Sequence, residues 1–373
     1  MALMFGVALI ALAGPLVAAA RASYPGSAGE IVYQDSYRAW DPLNNGAVEN
    51  DYSVRAAALP ATGTTAVVTC RGADGGFATG SPEFCPESGA SFAPNGAALV
   101  FTGAAYAADG SSVPDQSACS GVGYCPEAII VAAADGTGGR LLSIPIADAE
   151  HAAFMPDGRR IVFAGRTGPR GQADLYTVNS DGSALTRVTS DGGTDPSPCP
   201  NGSVVYVHRG DLYLLAANLR TRRRLTRHGG THPDCSHDSR TIALLRRATL
   251  YTMSVTGRHL RRLSSPGVAD GRPAFSPAGG EIAFTTTRAC TSHCGGRYPG
   301  CTNLTDRLEL IDLLGRRRRS VVTGSNLCSS DGDLGGDTPG DADWQPPAGG
   351  QASPSAPARR QRRSHRAVTA ARR

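Results

Sequence analysis

Phe154-Met155-Pro156-Asp157-Gly158, followed by Arg159-Arg160-Ile161-Val162-Phe163, decides the fold of this 373-residue chain. A short strand ends at Phe154. Pro156 and Asp157 set a tight turn, Gly158 supplies a positive φ, and an apolar strand returns. Ten residues further on, Ala173 to Gly182 reads ADLYTVNSDG, and a last strand follows in ALTRVT. The unit is four strands, here a to d, with tight turns at a–b and c–d.

The same unit recurs along the chain. FAPNG with AALVF begins at Phe92, PCPNG with SVVYV at Pro198, CSHDS with RTIAL at Cys235, and FSPAG with GEIAF at Phe275. Second halves follow from Glu127, Gly210, Ala248 and Arg307. The turn residues are Pro94 and Gly96, Pro156 with Asp157 and Gly158, Pro200 and Gly202, and Pro277 and Gly279. His237 and Ala278 depart from the Pro-Asp-Gly core, which weakens those two turns. Pro156, Pro200, His237 and Pro277 mark steps of 44, 37 and 40 residues. A period of about 40 residues is that of a four-stranded propeller blade.

The two ends complete the count. Ala342-Asp343-Trp344-Gln345-Pro346 reads as an a strand with Trp344 in the Phe position, and Gly29-Glu30-Ile31-Val32-Tyr33 reads as a b strand. One blade shared between the termini would close the ring and remove open sheet edges. The expected fold is therefore all-β, a six-bladed β-propeller over residues 23–346 sealed by Trp344, Pro346 and Ile31. These segments resemble the TolB-like propeller repeat, whose pattern runs FSPDGxxIAF, DIYVMNADG and a strand ending in LT. The resemblance spans about residues 29–346. It implies six blades and a role in envelope protein complexes, with partners bound through loops and the channel mouth. No counterpart of the family's N-terminal mixed α/β domain is expected in this sequence.

The flanks differ in composition. Residues 2–20 are almost purely apolar, and Ala20-Arg21-Ala22 fits a small-x-small cleavage site, so residues 1–22 read as a signal peptide with no basic residue ahead of its apolar core. Membrane contact is expected only through this leader, should it stay uncleaved. Residues 347–373 are mostly Gly, Ala, Ser, Pro and Arg, a composition expected to be disordered. All 37 basic residues are Arg. One lies in the leader and seven beyond Pro346, which turns the formal +5 of the whole chain into about −3 for the propeller. No nucleic-acid partner is expected.

Ten Cys in an exported chain point to disulfides. Cys70 and Cys85 fall in a d–a connection and are read as a pair, as are Cys119 and Cys125 in a b–c loop. Cys290, Cys294 and Cys301 fall in another b–c loop and share two bonds with Cys328 of the last d–a connection. In a four-stranded meander these loops leave from one face, so eight Cys map there. Cys199 and Cys235, in a strands of adjacent blades, either pair or remain buried thiols.

The stretch from Asp331 to Asp343 is acidic and Gly-rich. Asp331, Asp333 and Asp337 would suit calcium, although the order is not that of an EF-hand; no other cofactor is expected. Arg clusters at 220–227, 258–262 and 316–319 fall on d strands, where they guard the outer edge or form a basic wall for an anionic wall polymer. His151, His208, His228, His232 and His237 fall in the middle blades. No GxSxG elbow, HExxH helix, P-loop or Rossmann glycine pattern is present. The chain reads as a secreted or cell-envelope monomer, a scaffold that binds an envelope protein or anionic wall polymer. The competing expectation is a propeller enzyme, a glycan lyase or hydrolase with its site at the channel mouth.

Overall fold

The computed structural model describes chiefly residues 89–106, 126–168, 171–266, 271–277, 279–293 and 302–323, together with Ala269 and the strand segments 30–40, 48–58, 64–69, 83–86, 112–113, 326–328 and 334–344. The leader and the tail lie outside the described residues. The strands form six antiparallel sheets.

Sheet I contains β1 (Glu30–Trp40), β2 (Val48–Ala58) and β3 (Thr64–Thr69). Sheet II contains β4 (Glu83–Pro86), β5 (Ser91–Phe92), β6 (Ala98–Tyr106), β7 (Ser112–Val113), β8 (Ala128–Ala133) and β9 (Arg140–Leu141). Sheet III is β10 (Asp148–Phe154), β11 (Arg160–Arg166), β12 (Asp174–Asn179) and β13 (Thr186–Arg187). Sheet IV is β14 (Thr194–Pro198), β15 (Val204–His208), β16 (Asp211–Leu215) and β17 (Arg222–Arg224). Sheet V is β18 (Thr231–Cys235), β19 (Thr241–Leu245), β20 (Leu250–Ser254) and β21 (Arg261–Arg262). Sheet VI is β22 (Ala274–Phe275), β23 (Glu281–His293), β24 (Thr302–Asp312) and β25 (Arg318–Thr323). The chain then returns through β26 (Asn326–Cys328) and β27 (Leu334–Trp344) to sheet I, where Trp344 lies opposite Ile31.

The expectation of uniform four-stranded blades is corrected in two places. Sheets III to VI have that form, whereas sheet I has five strands and sheet II six. In sheet II, β4 and β5 both pair with β6 and share the inner-strand position. In sheet I, β26 adds a strand inside β27. The segment expected as an acidic loop is extended strand from Leu334 onward, because β1 offers it an antiparallel ladder. Cys290 and Cys328, expected in loops, lie in β23 and β26, and Cys85 lies in β4 opposite Ala104. Long insertions continue as paired hairpins because each backbone N–H and C=O needs a partner.

The middle sheets stack because their b strands are apolar on both faces. Ile161 and Phe163 of β11 pack with Val100 and Ile129 of sheet II. The intervening Val162 and Ala164 face Val204 and Tyr206 of sheet IV. Val205 and Val207 then meet Ile242 and Leu244, and Ala243 and Leu245 meet Ile282 and Phe284. Sheet VI closes on sheet I through Ala283, Leu308 and Leu310 against the buried Ile31. Sheet I also touches β4 and β5 of sheet II, which completes a ring. Burying a Val, Leu, Ile or Phe side chain stabilises by about 1.5–3 kcal/mol, so these continuous runs dominate the stability of the stack.

The a–b turns take the expected backbone form at Gly96, Gly158, Gly202 and Gly279, with φ of 68°, 67°, 84° and 71°. The outer d strands do two jobs. Arg187 and Arg224 neutralise Asp174 and Asp211 at the start of the neighbouring c strand, and those carboxylates also accept the N–H of Gly192 and Gly229, each at 2.9 Å. Arg140, Arg223 and Arg261 stand one register step away, opposite Val131, Leu214 and Thr252. Each reaches a carbonyl in the next sheet's c–d turn: Ser180 at 2.6 Å, Thr256 at 2.9 Å with Val255 at 3.0 Å, and Leu314 at 2.8 Å. The d-strand arginines are thus in large part clamps between sheets rather than a uniform basic wall.

Candidate functional site

Five residues ahead of three a–b turn markers, Pro156, Pro200 and His237, the inner strand carries the same kind of irregularity. The register slips between Glu150 and Ala153 in β10, between Thr194 and Ser197 in β14, and between Thr231 and Asp234 in β18. At each slip one residue adopts left-handed backbone: His151 (φ 53°), Asp195 (φ 55°) and His232 (φ 47°). Such a conformation costs a non-Gly residue about 1–2 kcal/mol. Proline follows Asp195 and His232 and disfavours the right-handed helical region for the residue before it. Ala152 follows His151, so there the bulge itself sets the conformation. Arg272 occupies the same column ahead of β22.

The column converges on Asp195. Its Oδ1 accepts from Arg272 Nη2 at 2.7 Å and lies 3.6 Å from His151 Nδ1. Its Oδ2 accepts the His232 backbone N–H at 3.0 Å. The two imidazole rings meet edge to face with centroids 6.5 Å apart. Asp195 is buried, while His151 and Arg272 are partly open, at 26% and 17%. Burial works to raise the Asp195 carboxyl, but Arg272, the two imidazoles and the His232 N–H outweigh it and hold it well below the usual carboxylate range. The His232 side-chain Nδ1 is buried and has no hydrogen-bond partner among the described residues.

Two residues along β18 stands a second carboxylate with the opposite bias. Asp234 accepts the Phe275 N–H at 2.7 Å and the Ser197 hydroxyl at 3.3 Å. Burial pushes it up to about 6, against those hydrogen bonds and Arg272. Asp234, Ser197 and Arg272 line a cavity of about 120 Å³ whose apolar walls include Phe92, Phe154 and Phe275. This cavity runs along the inner strands toward the a–b turns, where Pro94, Pro200, His237 and Pro277 frame it. Beside it the Cys199–Cys235 disulfide ties adjacent inner strands, with Cα atoms 5.2 Å apart.

The histidines expected in the middle sheets therefore part company. His151 and His232 meet at Asp195. His208 is buried between sheets III and IV, where its Nδ1 lies 2.9 Å from the Gly192 carbonyl and its Nε2 lies 3.7 Å from Asp191. His228 is exposed, and His237 sits in an a–b turn at the other end of the cavity. Asp195, Asp234 and Arg272 were not among the residues that composition and motifs single out. The signal for Asp195 and Arg272 is positional, since the column five before the turn marker reads Gly89, His151, Asp195, His232, Arg272 and Asp341, whereas Asp234 lies outside that column.

The other expected site residues stand as follows. Cys70, Cys119, Cys125, Cys294, Cys301, Asp331, Asp333 and Pro346 lie outside the described residues, as do the side chains of Cys85, Cys290, Cys328, Asp337 and Trp344. Among the described residues no group of three His, Cys, Asp or Glu side chains is placed to hold a metal ion.

No protein-family model and no curated protein matches the sequence. Among solved structures the chain is similar to TolB from Acinetobacter baumannii, at 16% identity and a TM-score of 0.55, covering 84% of this chain and 67% of that one. It is similar to a protein assigned as TolB from Agrobacterium tumefaciens, at 14% identity and a TM-score of 0.52, covering 82% of this chain and 98% of that one. Hydrazine synthase from Kuenenia stuttgartiensis matches at 11% identity and a TM-score of 0.52, over 84% of this chain and 47% of that one. Likenesses at these identities speak to fold alone, and with the sheet order above they make this protein an all-β propeller of four-stranded antiparallel blades with TolB-like neighbours.

Proposed function

We propose that the protein is an extracytoplasmic six-bladed propeller, each sheet counted as one blade, that acts as a binding scaffold. Its ligand, an envelope protein or anionic wall polymer, is held at the mouth of the channel where His151, Asp195, His232 and Arg272 converge. The observation that carries this reading is the repeated left-handed backbone at three equivalent inner-strand positions around one buried carboxylate. Strain of this kind persists where the surrounding structure over-determines it, and it gathers at ligand sites. The column lies at or just ahead of the start of β14, β18 and β22 and in the first half of β10, so it is nearer the end from which b–c loops and d–a connections depart. The inter-blade disulfide and the apolar leader support an oxidising, extracytoplasmic setting.

The test is affinity capture from envelope extract at physiological salt with the full chain and with His151→Ala/His232→Ala. A partner retained by the parent and lost by the double variant supports the site. A partner held equally by both removes the channel from the reading, and no partner at all counts against the scaffold.

A second reading has its own observation. Asp195 is held ionised while Asp234 is pushed toward neutrality, and carboxylates driven apart in this way are how a site acquires both a base and an acid. In a propeller enzyme acting on glycans, Asp234 would supply the proton. Turnover of envelope glycans by the parent chain and its loss in Asp234→Asn would favour that reading over the scaffold.

A further inference from the structure

Among the described residues the c–d turns of sheets II to VI fall into two unlike groups. In sheets II and III they are acidic, carrying Asp135 and Asp181. In sheets IV, V and VI they carry arginine and leucine: Leu219-Arg220, Arg258-His259-Leu260, and Leu314-Gly315-Arg316-Arg317. Leu260 and Leu314 are the exposed large hydrophobic residues of the described chain, at 45% and 50%. Arg220, Arg258, Arg316 and Arg317 are exposed, and no ion pair with an acidic side chain is formed by them among the described residues. The acid of this rim is Asp312, which is occupied in capping its own turn: its Oδ1 accepts the N–H of Leu314 at 3.1 Å and of Arg316 at 2.7 Å, with Arg317 nearby in charge.

The rim is also preorganised. Arg223 holds the carbonyls of Val255 and Thr256, and Arg261 holds that of Leu314. Gly257 has φ of 81°, and a Cβ there would come within 2.8 Å of the Leu225 carbonyl, so the turn of sheet V is seated directly on the outer strand region of sheet IV. The turn of sheet VI sits on Leu263 in the same manner, through Gly315. Little conformational freedom is left to lose when these turns meet a surface.

We propose that this arginine–leucine rim docks on an anionic lipid bilayer, with Arg258, Arg316 and Arg317 at the lipid phosphates and Leu260 and Leu314 entering the headgroup layer. Basic residues at a bilayer surface contribute about 1 kcal/mol each, and flanking apolar side chains add to binding by burial. The leucines favour a bilayer over a dissolved anionic polymer, which would gain from the arginines but has no apolar layer to receive Leu260 and Leu314. The acidic turns of sheets II and III would be repelled, so docking would orient the molecule. The inference is independent of the channel reading.

The test is co-sedimentation of the full chain with vesicles of equal parts phosphatidylglycerol and phosphatidylcholine, against vesicles of phosphatidylcholine alone. Binding is expected to the anionic vesicles only. Arg258→Gln/Arg316→Gln/Arg317→Gln should weaken it by roughly a hundredfold. Leu260→Ser/Leu314→Ser should weaken it by roughly tenfold, with an unchanged melting temperature in both variants. The same losses should appear in a chain whose seven arginines beyond Pro346 are replaced by glutamine. Equal binding to both vesicles, or binding untouched by the arginine variant, overturns the proposal. So does binding that disappears with the tail arginines alone. Binding that ignores the leucine variant and is displaced by polyglutamate would assign the rim to soluble polyanions instead, and overturns it too.

Discussion

The inner and outer strands of one blade use charge in opposite ways. In sheet IV the inner strand β14 buries Asp195 at a bulge and surrounds it with Arg272, His151 and the His232 N–H. The outer strand β17 is three arginines, all exposed: Arg222 pairs with Asp191, Arg223 clamps the next sheet, and Arg224 neutralises Asp211. Inside, a charge removed from water must be matched almost completely, and removing one partner exposes the penalty. Outside, solvent replaces the partner lost from an exposed pair such as Arg222–Asp191, which contributes about 0–1 kcal/mol, and only Arg224, facing the buried Asp211, departs from this within the strand. Charge on the inner strands is therefore a constraint, and charge at the rim is close to optional for folding and open to other use.

The hardest test of that contrast is Asp195→Ala. It removes the carboxylate facing Arg272 and the acceptor of the His232 N–H. Unfolding free energy should fall by about 3–5 kcal/mol in denaturant titration. Asp195→Asn keeps an acceptor for the N–H and should fall by less. An alanine variant within 1 kcal/mol of the parent, on the order of a surface substitution, would erase the distinction between inner and outer charge.

The Cys199–Cys235 bond comes next, because it ties two inner strands across a sequence separation of 36. Closing a loop of that length stabilises by about 3–4 kcal/mol through the unfolded chain, less any strain, and a loss of about 2–4 kcal/mol is expected for Cys199→Ala/Cys235→Ala. Denaturation of parent and variant, each with and without reductant, reads it. A reductant effect that persists in the variant would belong to other cysteines.

How much of this was legible beforehand follows the same inside–outside division. The blade pattern is written in local chemistry: Pro-Asp-Gly turns, apolar b strands, and an Asp opening the c strand at Asp174 and Asp211. Each is readable from a few neighbouring residues, and so is the pairing of the two chain ends in sheet I. The site is assembled from residues about 40 apart, and no motif announces Asp195 or Arg272, because bulge geometry rather than residue type brings them together. The arginines were legible as outer-strand residues but not as clamps, since their acceptors are carbonyls of another sheet. The length of β23 was missed for a related reason: pairing continues past the apolar b strand through Thr and Arg, where hydropathy carries no signal.

Asp234 supplies a pH test on the same inner strands. Its folded value lies near 6, against about 3.8 in the unfolded chain. The folded state therefore holds its proton longer, and this contribution is fully present below pH 3.8 and lost as pH rises through about 6. The total change across that range should amount to about 3 kcal/mol at most and should vanish in Asp234→Asn. Asp195 acts in the other direction, its contribution being present above the ordinary carboxylate range and lost as pH falls through its lowered value. Denaturation between pH 4 and 6 separates the two, because of this pair Asp234 is the one that titrates there. An Asp234→Asn variant with the parent's slope in that window would place the titrating group elsewhere.

The smallest effects belong to the outer arginines, and their order is informative. Arg223 donates to two carbonyls of the next sheet, whereas Arg258 makes no ion pair with an acid among the described residues. Arg223→Gln should cost about 0.5–1.5 kcal/mol, the range of a hydrogen bond of this kind. Arg258→Gln should stay within about 0.5 kcal/mol of the parent. Raising the salt concentration should leave the Arg223 effect largely in place, because its partners are neutral carbonyls rather than carboxylates. If instead Arg258 proved the more costly of the two, the rim would be part of the folding machinery, and its arginines could no longer be regarded as spare charge available to a surface.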